Sequence, residues 1–146
     1  MPSTANNALN QVLIQLDKSL LSYVAEAWPW SSSGEADVQR AVNELVDRRR
    51  ANVGRLADLL LDREWPIDFG AYPTDYTDLH YVALDYLLAL VVKDQKQLTA
   101  EIETARQPTS NDAEGRKLLD EILADERETL ARLEKLVASR AKISAA

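Results

Sequence analysis

The sequence predicts an all-α protein: a single domain over residues 1–146, folded as an antiparallel four-helix bundle with a long crossover between its second and third helices. Three observations lead there. Glycine is scarce, four in 146 residues, while Ala, Leu, Glu, Lys and Arg fill long stretches that favour helix. The five prolines (Pro2, Pro29, Pro66, Pro73 and Pro108) fall outside the periodic apolar segments, where a missing N–H costs little. Between them lie four segments with apolar residues at spacings of three and four.

The first helix is expected over about 4–27, with Leu9, Leu13, Leu16, Leu20, Tyr23 and Ala27 on one stripe. The second, over about 35–63, follows a candidate capping box, Ser32-Ser33-Gly34-Glu35. Its stripe is Val38, Val42, Leu45, Arg49, Asn52, Leu56 and Leu59. The third, over about 75–106, starts among hydroxyls and carboxylates at residues 74–78, which suit an N-terminus. It continues through Leu84, Leu88, Val91, Gln95, Leu98 and Ile102. The fourth, over about 111–140, opens at Ser110-Asn111-Asp112 and carries Leu119, Ile122, Glu126, Thr129, Leu133 and Val137 inward, leaving a frayed tail over 142–146. About seven residues join the first two helices and about four the last two, whereas about eleven (64–74) separate the second from the third. Short, long, short is the pattern of two hairpins joined by a crossover.

Composition then narrows the chemistry. The absence of cysteine excludes disulfides, thiolate metal sites and thiol nucleophiles. A single histidine, His80, excludes sites that need two imidazoles from one chain. A formal charge of −7 and a pI near 4.7 argue against nucleic acid as a partner. The longest apolar stretch, around 79–92, is too short to span a membrane and contains Asp85; no secretory leader is evident, so a cytoplasmic protein is expected. No glycine-rich phosphate loop or Ser/His/Asp set is present.

The most specific motif is the run Glu121-Ile122-Leu123-Ala124-Asp125-Glu126-Arg127-Glu128-Thr129-Leu130-Ala131-Arg132-Leu133-Glu134. It resembles the last bundle helix of bacterioferritins and related ferritin-like proteins, where an acidic pair with a ligand Glu is followed three residues later by His. Leu9-Asn10-Gln11-Val12-Leu13 followed by Tyr23 is similar to the family's first helix, and Asn52-Val53-Gly54-Arg55-Leu56 to the stretch after its second-helix Glu. The resemblance implies a ferritin-like bundle. It also implies where a di-iron centre would lie: Leu16 on the first helix, Arg49 and Asn52 on the second, Val91 on the third, Glu126 and Thr129 on the fourth. Only Glu126 keeps a ligand type, so neither metal nor other cofactor is expected.

The replacements suggest their own chemistry. Leu16 and Val91 turn carboxylates into hydrocarbon. A buried Glu126 alone would need neutralising, and the Arg49 guanidinium supplies both charge and directed hydrogen bonds. An internal Arg49–Glu126 ion pair is therefore expected, with Asn52 and Thr129 as neighbouring hydrogen-bonding groups.

Other features admit two readings each. Trp28, Trp30 and Trp65 either cover the core ends or form an interaction surface. Glu44 with Arg48, and Glu128 with Arg132, have the spacing of surface ion pairs. Asp85 is either partly buried or marks an outer face, and His80 is either structural or a ligand or general base. Val12, Ile14, Leu21 and Val24 add apolar surface to the first helix that would suit a homodimer. The functional expectation is a non-catalytic ferritin-like bundle without its di-iron centre, serving as a structural or protein-interaction module with a protein partner. The alternative is an iron-binding protein or metal-dependent oxidase using a shifted carboxylate-rich site.

Overall fold

The computed structural model describes residues 2–28, 35–81 and 83–145, the side chains of 2, 3, 80, 81 and 141–145 excepted. The chain is all-helical, with no strand among the described residues. In order come α1 (Pro2–Asp17), α2 (Leu20–Glu26), α3 (Ala36–Asp62), a 3-10 helix (Thr74–Tyr81), α4 (Leu84–Ala105) and α5 (Ala113–Ala145). The most extensive packing is α4 on α5 and α1 on α3, and α1 also meets α4. Among the described residues no helix is long and apolar enough to cross a membrane.

The apolar stripes bury as two clusters. The first gathers Leu9, Leu13 and Leu16 of α1, Leu56 and Leu60 from the second half of α3, Leu98 and Ile102 of α4, and Leu119 and Ile122 of α5. The second gathers Leu20, Leu21 and Val24 of α2, Val38, Val42 and Leu45 from the first half of α3, Leu84, Leu88 and Val91 of α4, and Leu133 of α5. Trp65 and Ile67 cover the first cluster, and Trp28, Tyr76 and Leu79 the second. The two described tryptophans thus lie against the core; Trp30 lies outside the described residues.

Several boundaries differ from those read from the sequence. The first helix is not continuous over 4–27 but breaks at Lys18–Ser19. Ser19 takes an extended conformation (φ −69°, ψ 162°) and caps α2, its Oγ accepting from Ser22 N at 3.2 Å. Ser22 Oγ donates back to Leu16 O at 2.8 Å, so serine hydroxyls replace backbone partners on both sides of the break. The third helix does not begin at 75. Residues Thr74–Tyr81 wind as a 3-10 helix, with Tyr76 and Leu79, one 3-10 turn apart, on the core, and α4 starts only after the extended Ala83. The last helix runs to Ala145 rather than fraying from 142. The capping-box residues 32–34 lie outside the described residues, and Glu35 makes no side-chain cap. Val12, Leu21 and Val24, read as surplus apolar surface, are buried within the chain itself, and Ile14 is half-buried.

The end of α3 explains how the crossover starts. Glu64 sits in the left-handed region (φ 56°), Trp65 N donates to Leu60 O at 3.0 Å and Glu64 N to Leu61 O at 2.9 Å. This is a Schellman closure, and it turns Trp65 down onto the apolar cluster that contains Leu60. The crossover is then pinned to α1. Asn10 Nδ2 donates to Asp68 O at 2.9 Å, and Asp68 N donates to Asn10 Oδ1 at 3.0 Å. Gly70 (φ 68°) approaches so closely that a Cβ there would lie 2.7 Å from Ile14 Cγ2.

Candidate functional site

Between the two apolar clusters lies a polar layer with one residue from each side: Ser19 at the α1–α2 break, Arg49 of α3, Gln95 of α4 and Glu126 of α5. The stripes explain the placement. Arg49 falls in cadence with Leu45 and Leu56, Gln95 with Val91 and Leu98, and Glu126 with Ile122 and Leu133, so each is carried inward by its apolar neighbours. Arg49 and Glu126 are each 1 % exposed.

Arg49 Nε donates to both Glu126 oxygens at 3.2 Å, and its Nη2 donates to Glu126 Oε1 and to Gln95 Oε1. Its Nη1 donates to Ser19 Oγ at 2.6 Å. Gln95 closes the circuit by donating Nε2 to Glu126 Oε1 at 2.8 Å and to the Glu126 carbonyl at 3.0 Å. Each charge is therefore opposed by its counter-charge and surrounded by neutral dipoles, the condition under which burial of an ion pair is tolerable.

Asn52 and Thr129 do not join this pair. Asn52 Nδ2 donates to Asp125 Oδ2 at 2.9 Å, and Thr129 Oγ1 accepts from Arg48 Nη2 at 2.8 Å. Both belong to the α3–α5 seam. Arg48 reaches across that seam to Glu128 at 3.0 Å rather than pairing with Glu44, while Glu128 also binds Arg132 at 3.0 Å. The three consecutive arginines thus part company: Arg48 to α5, Arg49 to the core, Arg50 to Asp47 on its own helix. Val91 is fully buried hydrocarbon in the second cluster, and the polar residue on α4 that meets Glu126 is Gln95, one turn later. Leu16 is likewise core. Asp85 is exposed and pairs with Arg140; the side chain of His80 lies outside the described residues.

Two carboxylates, one near the layer and one at the end of the bundle, differ in kind. Asp94 accepts from Leu20 N at 3.2 Å, at the start of α2; burial raises its pKa above the usual carboxylate range, opposed by that hydrogen bond and by Arg49. Tyr76 beside it is pushed up to about 12, by burial first and then by the Asp94 charge. Tyr72, which donates to Glu26 at 2.7 Å, is raised above the ordinary phenol value by burial and by that bond. At the start of α5, Asp112 takes a bidentate pair of bonds from Arg63 (2.7 and 2.8 Å) that holds its carboxyl below the usual range.

The polar layer does not fit a di-iron group. A guanidinium has no lone pair to offer a cation, and Leu16 and Val91 offer none either. Among the described residues, no three His, Asp or Glu side chains converge in a way that could hold a metal ion. Nor does the layer present a base or nucleophile to solvent, since the Glu126 carboxylate is enclosed by Arg49 and Gln95. No protein-family model matches this sequence, and no curated protein matches it significantly.

Proposed function

We propose that the chain is a non-catalytic, ferritin-like antiparallel four-helix bundle whose buried Arg49–Glu126 pair stands where the resemblance would put a metal centre. On this reading it serves as a structural or protein-interaction module. The carrying observation is the engagement of Arg49: its hydrogen bonds go to Glu126, Gln95 and Ser19, a closed set that fills the bundle's midpoint. The composition of the clusters supports the bundle, because the first half of α3 packs with α2 and the second half with α1. The decisive experiment adds ferrous iron anaerobically to the purified protein, admits air, and measures bound metal and oxygen consumption. The expected result is neither stoichiometric binding nor oxygen uptake; two irons per chain would overturn the reading.

Self-association as a homodimer belongs to the same proposal. With Val12, Leu21 and Val24 internal, the exposed large apolar side chains among the described residues are Leu61, Phe69 and Tyr86. Sedimentation velocity over a hundredfold range of concentration tests it, and a monomer throughout would exclude it.

A further inference from the structure

α4 carries a carboxylate, an apolar side chain and a second carboxylate at Asp94, Leu98 and Glu101, spacings of four and three that put all three on one helix face. The three line one cavity of about 240 Å³, together with Ile14 of α1, Pro73 of the crossover and Tyr76 of the 3-10 helix. Asp94 and Glu101 stand two turns apart, about 10 Å along the axis, with the hydrocarbon of Leu98 between them. Lys18 is the one cation among the lining residues. Its ammonium is spent elsewhere, on Asp17 at 3.1 Å and on the Tyr72 ring, whose centroid is 4.9 Å away; both of these line a separate cavity. Arg49 acts on Asp94 through space only, because its N–H groups go to Glu126, Gln95 and Ser19. The cavity therefore keeps a net negative charge.

Neither carboxylate is bonded to a cation among the described residues. Asp94 Oδ2 accepts from Leu20 N at 3.2 Å and its Oδ1 from no donor, while Glu101 accepts from the neutral Gln97 Nε2 at 3.3 Å. Burial raises the Asp94 pKa in spite of the Leu20 bond and the Arg49 charge, so its negative charge is under-compensated. Among the described residues no third ligand joins these two to hold a metal ion, which leaves an organic cation as the fitting counter-charge. Carboxylate, hydrocarbon, carboxylate along the wall is the complement of ammonium, methylene chain, ammonium in a ligand. Allowing a charge-assisted hydrogen bond of about 2.8 Å at each end, about 5 Å of the 10 Å remain, roughly the reach of a four-carbon chain. We propose that this cavity binds a short aliphatic diamine, its two ammonium groups on Asp94 and Glu101 and its methylenes against Ile14 and Leu98. The inference is independent of the reading of the Arg49 layer.

The test uses the full chain labelled with nitrogen-15, titrated at neutral pH and physiological salt with 1,4-diaminobutane and, separately, with n-butylamine and 1,4-butanediol. The diamine should shift the backbone amides of residues 14–19 and 94–101 saturably, with half-saturation at about 0.1–5 mM, the range a ligand of this size reaches. The monoamine, which can engage one carboxylate only, should bind at least about tenfold more weakly, and the diol more weakly still. Asp94→Asn keeps an oxygen for Leu20 N, and Glu101→Gln alters a half-buried side chain; each should weaken the diamine by about tenfold or more. Absent or unsaturable shifts, shifts spread over the acidic surface at large, or unchanged affinity in either folded variant would overturn the proposal. The monoamine binding as tightly as the diamine would overturn it too, and that comparison needs only the unaltered protein.

Discussion

Replacing Arg49 by methionine removes a cation from a site 1 % exposed and leaves the Glu126 carboxylate, also 1 % exposed, without its counter-charge. Gln95 Oε1 and Ser19 Oγ lose a donor at the same time. Breaking a buried pair from one side costs about 3–5 kcal/mol. Against a domain stability of about 5–15 kcal/mol, that is a large fraction, and urea unfolding followed by circular dichroism at neutral pH will register it as a lowered midpoint. The double variant Arg49→Met/Glu126→Leu removes both charges and should fall within about 2 kcal/mol of the unaltered protein, giving a coupling energy on the order of 5 kcal/mol. A loss below about 1 kcal/mol for Arg49→Met, or a double variant as unstable as the two single ones combined, would refute the picture of a mutually neutralised buried pair.

Gly70→Ala places a Cβ 2.7 Å from Ile14 Cγ2 at a positive φ, and should cost about 1–3 kcal/mol in thermal unfolding; Ile14→Ala should recover the steric part alone. Glu64→Gly relieves a left-handed residue in the Schellman closure and should be neutral or stabilising by up to about 1 kcal/mol, which a urea midpoint will show. The pH profile of stability should carry two opposed contributions. Asp94, raised in the folded protein, binds a proton more tightly than in the unfolded chain, so stability rises as pH falls through its folded pKa. Asp112, depressed by Arg63, contributes stability above its unfolded pKa that is lost as pH falls through the lower folded value. Thermal unfolding against pH should lose the rise in Asp94→Asn and the fall in Asp112→Asn.

The helical stripes were legible because burial and periodicity agree: Val38, Val42, Leu45, Arg49, Asn52, Leu56 and Leu59 are all buried, as their spacing demands. A charged residue in such a cadence can be read as inward, which is why Arg49 and Glu126 stand out in the sequence. Spacing says less about which neighbour an inward polar group meets. Asn52 and Thr129 share faces with Arg49 and Glu126, yet they turn to the α3–α5 seam, a matter of helix rotation that a linear pattern does not contain. Gln95 sits openly on the third stripe, but the family register pointed one turn earlier, to Val91. The break at Ser19 was hidden because the apolar cadence from Leu16 to Leu20 runs straight through it; the only local signal is the pair of serines at 19 and 22. The 3-10 segment was hidden for a related reason, since Tyr76 and Leu79 are three apart, a spacing both helix types share.

The division of the core by a polar layer has a consequence for how the molecule opens. The first cluster is closed by the sixteen residues of α1 and by a crossover anchored through Asn10. The second is closed by the seven-residue α2 and a 3-10 helix, elements with few intrahelical bonds of their own. Amide protons around α2 and the 3-10 segment should therefore exchange with solvent through sub-global opening, while those of α1 and the second half of α3 wait for global unfolding. The Arg49 layer marks the frontier between these two cooperative units. Through its bond to Ser19, loosening of α2 is felt first at the one place where the interior holds charge.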